Sequence, residues 1–145
     1  MTKDQVSEVL ATCLSSTTAE YRPPTSEEWD ALETKHACTF PVELRYFIEL
    51  MAKYDFPGDI LNVGNGANNG NDSIDTCYDY ESKSNHRWLP EMIPFYSIGN
   101  GDYFCVSAER GLQSQVFYFY AERGEFAEYS ESFESWIAGL PQFLA

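Results

Sequence analysis

Apolar side chains recur along this chain first at helical and then at strand spacing. Val6, Val9, Leu10 and Leu14 fall three and four residues apart, which predicts an amphipathic helix from about Thr2 to Leu14. Tyr21-Arg22-Pro23-Pro24 reads as extended, because a residue before proline avoids the helical region. Thr25 and Glu28 then fit a capping box, and Trp29, Leu32 and His36 share one side of the helix it opens. Phe40-Pro41-Val42-Glu43-Leu44 begins a third helix with proline in its first turn. Leu44, Phe47, Ile48 and Met51 form its apolar face.

The period changes after Lys53. Pro57-Gly58 turns the chain, Asp59 to Val63 reads as a short strand, and Gly64 to Gly70 is a loop by composition. Asp72 to Glu81 is balanced between two states. Ile74, Tyr78 and Glu81 fit a short helix capped by Asp72 or Ser73, whereas the tyrosine content suits a strand almost as well. Phe95 to Ile98 and Tyr103 to Ser107 read as the arms of a hairpin closed by Gly99-Asn100-Gly101-Asp102. Asn-Gly is the favoured pair for a two-residue hairpin turn, and Asp102 can accept from turn amides. Gln115 to Tyr120 is the strongest strand signal, and Phe126 to Tyr129 follows after a turn at Glu122 to Glu125. Ser130 or Ser132 caps a last helix carrying Phe133, Trp136, Ile137 and Leu140. The expected fold is α+β: an antiparallel meander flanked by helices, with the N-terminal helices and the C-terminal helix packed on the sheet. The expected organisation is one domain over all 145 residues, with its core from about residue 25 to 140.

Charge sharpens this picture. Twenty-three acidic residues against nine basic give a net charge of −14, the wrong sign for binding nucleic acid or an anionic membrane. It suits a basic protein partner, and it also keeps a protein soluble with no partner at all. Cys13, Cys38, Cys77 and Cys105 show no paired spacing, and Met1 to Gln5 lacks the organisation of a secretion leader. Reduced thiols in a cytoplasmic protein are the expectation. The glycosylation-like Asn71-Asp72-Ser73 is then coincidental.

Candidate chemistry mostly falls away. Gly64, Gly66 and Gly70 miss the dinucleotide spacing by one residue and lack a strand-to-helix setting. A calcium loop starting at Asn65 would place Ala67 at a ligand position and Thr76 where a bidentate glutamate belongs. His36 and His86 are the only histidines and form no zinc motif. No catalytic residue, metal site or cofactor site stands out.

The acidic residues carry more. From Lys53 to Lys83 no basic residue intervenes, while Asp55, Asp59, Asp72, Asp75, Asp79 and Glu81 alternate with Tyr54, Phe56, Tyr78 and Tyr80. After Arg123 none follows, and Glu125, Glu128, Glu131 and Glu134 recur at threes. Tyrosines beside carboxylates make rigid amphipathic anchors in a field that attracts cations. Asp72, Asp75, Tyr78, Asp79, Tyr80 and Glu81 are therefore the candidate partner-binding residues. The competing reading is a solvated acidic rim with the tyrosines lying on the core.

The order of the motifs resembles a known family. Trp29-Asp30-Ala31-Leu32-Glu33 precedes Phe40-Pro41-Val42-Glu43-Leu44-Arg45-Tyr46-Phe47-Ile48, then Ile93-Pro94-Phe95, the Gly99-to-Asp102 turn, Tyr103-Phe104-Cys105-Val106 and the closing Ser132-Phe133-Glu134-Ser135-Trp136-Ile137. Together they resemble the SUKH superfamily, which includes bacterial toxin-immunity proteins and fungal cell-wall-synthesis regulators of the Smi/Knr type. Pro41, Gly99, Gly101, Asp102 and Trp136 mark its structural motifs. The resemblance implies a non-enzymatic binding scaffold without cofactors, acting in the cytoplasm on a cognate toxin that is often a nuclease. It also implies an alternative, a regulatory protein-binding scaffold like the fungal members.

Overall fold

The computed structural model of the chain describes residues 1–17, 22–51, 53–64 and 73–145. Three helices come first, α1 (Lys3–Cys13), α2 (Ser26–His36) and α3 (Val42–Leu50). Thr2 and Thr25 each close a full capping box, with Gln5 and Glu28 as the reciprocal partners. Pro41 is the N-cap of α3 and its carbonyl accepts from Leu44 N, so the ring stands where no helical N–H is needed.

The two-residue strands β1 (Ser15–Ser16) and β2 (Tyr54–Asp55) pair as a small ribbon. The main sheet holds β3 (Asp59–Ile60), β4 (Met92–Ser97), β5 (Tyr103–Ser107), β6 (Val116–Tyr120) and β7 (Glu125–Ser130), antiparallel and in sequence order. Helix α4 (Ile74–Ser84) lies between β3 and β4 in the chain, and α5 (Phe133–Phe143) ends it. The uncertain segment is thus helical. Ser73 caps it, accepting from Thr76 N at 3.0 Å. The alternative cap Asp72 and the glycine loop from Asn65 to Gly70 lie outside the described residues.

Residues alternate across each strand, so the two faces can be assigned from ring contacts. Phe104 lies 5.3 Å from Trp136, under α5. Its neighbour Tyr103 lies 5.7 Å from Trp88, on the opposite face and beneath α4. The sheet is therefore covered on both sides, with α5, α3 and α1 on one face and α4 on the other. Pro94 sits at a register shift of β4, where a missing N–H disturbs the ladder least. The shift turns Phe95 and Tyr96 to the same side, 5.1 Å and 6.3 Å from Trp136. Trp136 also meets Phe47 at 5.1 Å and Phe133 at 5.2 Å, so one indole ties α3, α5, β4 and β5 together. Burying such a side chain stabilises the fold by roughly 1.5–3 kcal/mol.

The hairpin turn differs in detail from the two-residue form. Ile98 N bonds to Asp102 O across it, and positive φ falls on Gly99 (104°) and Gly101 (96°), not on Asn100. The Asn100 side chain instead accepts from Asp102 N at 3.0 Å. Asp102 reaches beyond its own turn, accepting from Tyr118 Oη at 2.7 Å and from Ala121 N at 2.8 Å. It fastens the β4–β5 hairpin to the end of β6. A Cβ on Gly101 would stand 3.1 Å from that of Ala121, so the two turns touch at that point.

Candidate functional site

The residues singled out from the sequence share α4 but not one surface. Ile74, Cys77 and Glu81 are the buried stripe of the helix, so the residues between them are carried to its flanks. Asp75 and Asp79 lie one turn apart and face α2, where Lys35 Nζ donates to each at 2.9 Å. The Lys35 hydrogen bond holds the Asp79 carboxyl below its ordinary range, against the opposing effect of burial. Tyr78 lies inward of them, donating to Pro90 O at 2.6 Å with its ring edge-on to His36 at 4.6 Å. Tyr80 alone projects, 66% exposed. Asp72 lies outside the described residues.

Glu81 points the other way. It is 9% exposed and accepts from Tyr103 Oη at 3.2 Å and Asn85 Nδ2 at 3.3 Å. A carboxylate under the sheet is tolerable because it is hydrogen-bonded. Burial first, then the charges of Cys77 and Glu81, pushes the Tyr103 hydroxyl up, so Tyr103 remains a donor. Its role is structural, linking α4 to β5, and it contributes no charge to an exposed face.

Between α2 and α4 lies an open cavity of about 560 Å³, lined by Lys35, His36, Tyr78, Pro90, Glu91 and Glu109. His36 Nε2 is buried there without a partner. Burial, then the Lys35 charge, lowers the His36 pKa, so the ring stays neutral at ordinary pH. Lysine, histidine and carboxylates meet there, but Lys35 is already held by two aspartates. Among the described residues, no group of three or more His, Cys, Asp or Glu side chains is arranged to hold a metal.

A second surface was missed by sequence reasoning. It lies at the β6–β7 end of the sheet, on the α5 face. Tyr118 and Tyr120 alternate onto this face of β6, with ring centroids 4.6 Å apart. Tyr129 of β7 and Phe143 of α5 extend it, 6.3 Å apart and 47% and 39% exposed. Asp102 orients Tyr118, and burial together with that hydrogen bond raises the Tyr118 hydroxyl well above its ordinary pKa. The Arg123 guanidinium covers Tyr120, 4.2 Å from its ring. Beside the cluster, Tyr129, Ser130, Trp136, Gly139, Leu140 and Phe143 line a groove of about 390 Å³ between β7 and the last turns of α5. The alternation at Tyr118 and Tyr120 is visible in the sequence. That β7 ends the sheet beside an open groove is not.

Three helices, a helix-interrupted meander covered on both faces and a closing aromatic helix make an α+β domain consistent with the SUKH type. Comparison with known families bears this out: the family described as SMI1-KNR4 cell-wall (SUKH_5) matches residues 3–140. The chain belongs to that family, and the match takes in α1, which lies outside the motifs recognisable by eye. No curated protein matches the chain.

Proposed function

We propose that this protein is a non-enzymatic immunity protein that binds a basic, nuclease-type toxin domain and neutralises it by direct contact in the cytoplasm. The observation that carries the reading is a net charge of −14 on a member of the SUKH family. The family is generally non-enzymatic and its members are often immunity proteins. A nuclease must grip phosphates with Lys and Arg, so an acidic inhibitor engages the surface that would hold substrate. Lys3, Arg22, Lys35, Arg45 and Arg123 each lie within 4 Å of a carboxylate, so five of the nine basic residues are already engaged by acids of the chain itself. Among the described residues no disulfide joins Cys13, Cys38, Cys77 or Cys105, which suits a reducing compartment. No described helix is long and apolar enough to cross a membrane.

The test is co-expression with the toxin encoded beside this gene, scored by survival and followed by isolation of the complex. The expected result is rescue and a 1:1 complex whose association slows steeply between about 50 and 300 mM salt. Death at the same rate with and without this chain, together with no complex at low salt, refutes the reading.

A further inference from the structure

The outer edge of β7 and the groove beside it form a surface that no described part of the fold occupies. Strand β7 pairs only with β6, and among the described residues no strand lies on its other side. It is six residues long and carries none of the proline or lysine that usually blunts an edge. Its charged positions, Glu125 and Glu128, are exposed and acidic. After Arg110 the only basic residue in the chain is Arg123, which lies against Tyr120 and Glu125, and Arg87 is tied to the β6–β7 turn by its bond to Arg123 O. Such an edge repels a second copy of itself and attracts a cationic strand. On the α5 side, Tyr129 and Phe143 offer half-exposed rings. The groove between them opens at Gly139, where an added Cβ would meet nothing within 4 Å.

We infer that the partner docks by adding an extended, lysine- or arginine-rich strand to the outer edge of β7. One apolar side chain of that strand enters the groove over Gly139. Main-chain pairing supplies the contact, and the glutamates with the groove select the sequence. That the occupant is basic rests on the immunity reading. That it is a strand rests on the edge itself.

The test uses the full chain and a defined probe, the blocked peptide Lys-Val-Lys-Leu-Lys-Val-Lys, against the same peptide N-methylated at alternate residues. Backbone amide shifts and amide exchange are followed by NMR. The expected result is new protection confined to β7, lost with the N-methylated peptide. The variant Gly139→Leu fills the groove while favouring the helix, so it folds. It and Glu128→Lys, which lies on the face opposite the groove where the probe's lysines fall, should each weaken the peptide by about tenfold or more. Shifts centred on α4, an N-methylated peptide that binds within about twofold of the parent, or no binding at millimolar peptide each overturn the inference. So does a dimer of this chain joined through β7 at low salt. With the toxin complex, a Gly139→Leu chain that dissociates no faster than the unaltered chain overturns strand docking and leaves immunity standing. Peptide pairing at β7 with no rescue by the unaltered chain does the reverse.

Discussion

Replacing Asp102 by alanine removes one carboxylate and the two bonds that tie the β4–β5 hairpin to β6. These are the 2.7 Å bond from Tyr118 Oη and the 2.8 Å bond from Ala121 N. Hydrogen bonds to a charged acceptor contribute roughly 1.5–3 kcal/mol each. Both donors here are partly open to water, which replaces some of what is lost. The net cost is therefore about 2–3 kcal/mol rather than the full sum. For a chain of this length that lowers Tm by about 5–10 °C. Urea unfolding of Asp102→Ala, Tyr118→Phe and the double variant closes a cycle, and the coupling between the two groups should reach at least about 1 kcal/mol. The same substitution should bring the Tyr118 hydroxyl back toward the ordinary tyrosine range, read by its alkaline titration. A coupling under about 0.3 kcal/mol would show that the turn holds its register without the carboxylate. Survival in the toxin assay should be retained wherever the variant is folded, because Asp102 acts on architecture.

Other outcomes follow from the same geometry. Trp136→Ala removes the ring shared by α3, α5, β4 and β5 and should cost about 3–5 kcal/mol in chemical denaturation, and a loss under about 1 kcal/mol would mean the core closes around the gap. His36 has a folded pKa below its unfolded one, so the unfolded chain binds more protons in between. Its contribution is full above about pH 6.5 and lost on acidification through that window, and a His36 midpoint above about 6.5 by NMR titration would refute this. The Tyr96 hydroxyl, pushed up to about 12 by burial and then by Asp59, stabilises the fold below about pH 10 and ceases to do so as pH rises toward 12. Tyr96→Phe should flatten the alkaline loss of stability over that window, and an unchanged slope would refute the assignment. Lys35→Ala frees Asp75 and Asp79 at a stability change under about 1 kcal/mol. Faster association of that variant with a basic toxin would assign the contact to α4, and an unchanged rate is expected if the partner engages β7.

The chain order alone determined much of this protein. Caps at Thr25 and Ser132, the apolar periods of α1, α3 and α5, and the alternation in β6 are local rules, since capping and periodicity act over three or four residues. The same rules left Asp72 to Glu81 undecided, because Ile74, Tyr78 and Glu81 satisfy a helix while tyrosines favour strands. Burial of Ile74, Cys77 and Glu81 beside the sheet made it a helix. That rotation also divided the expected acidic face, turning Glu81 inward to Tyr103 and Asp75 and Asp79 to Lys35, 40 and 44 residues away in sequence. Charge spacing cannot foresee such partners, since they are brought together only by packing. The open edge of β7 and the groove at Gly139 are likewise properties of the assembled sheet. A strand's own residues set its alternation, whereas its neighbours decide whether its outer hydrogen bonds are filled or free.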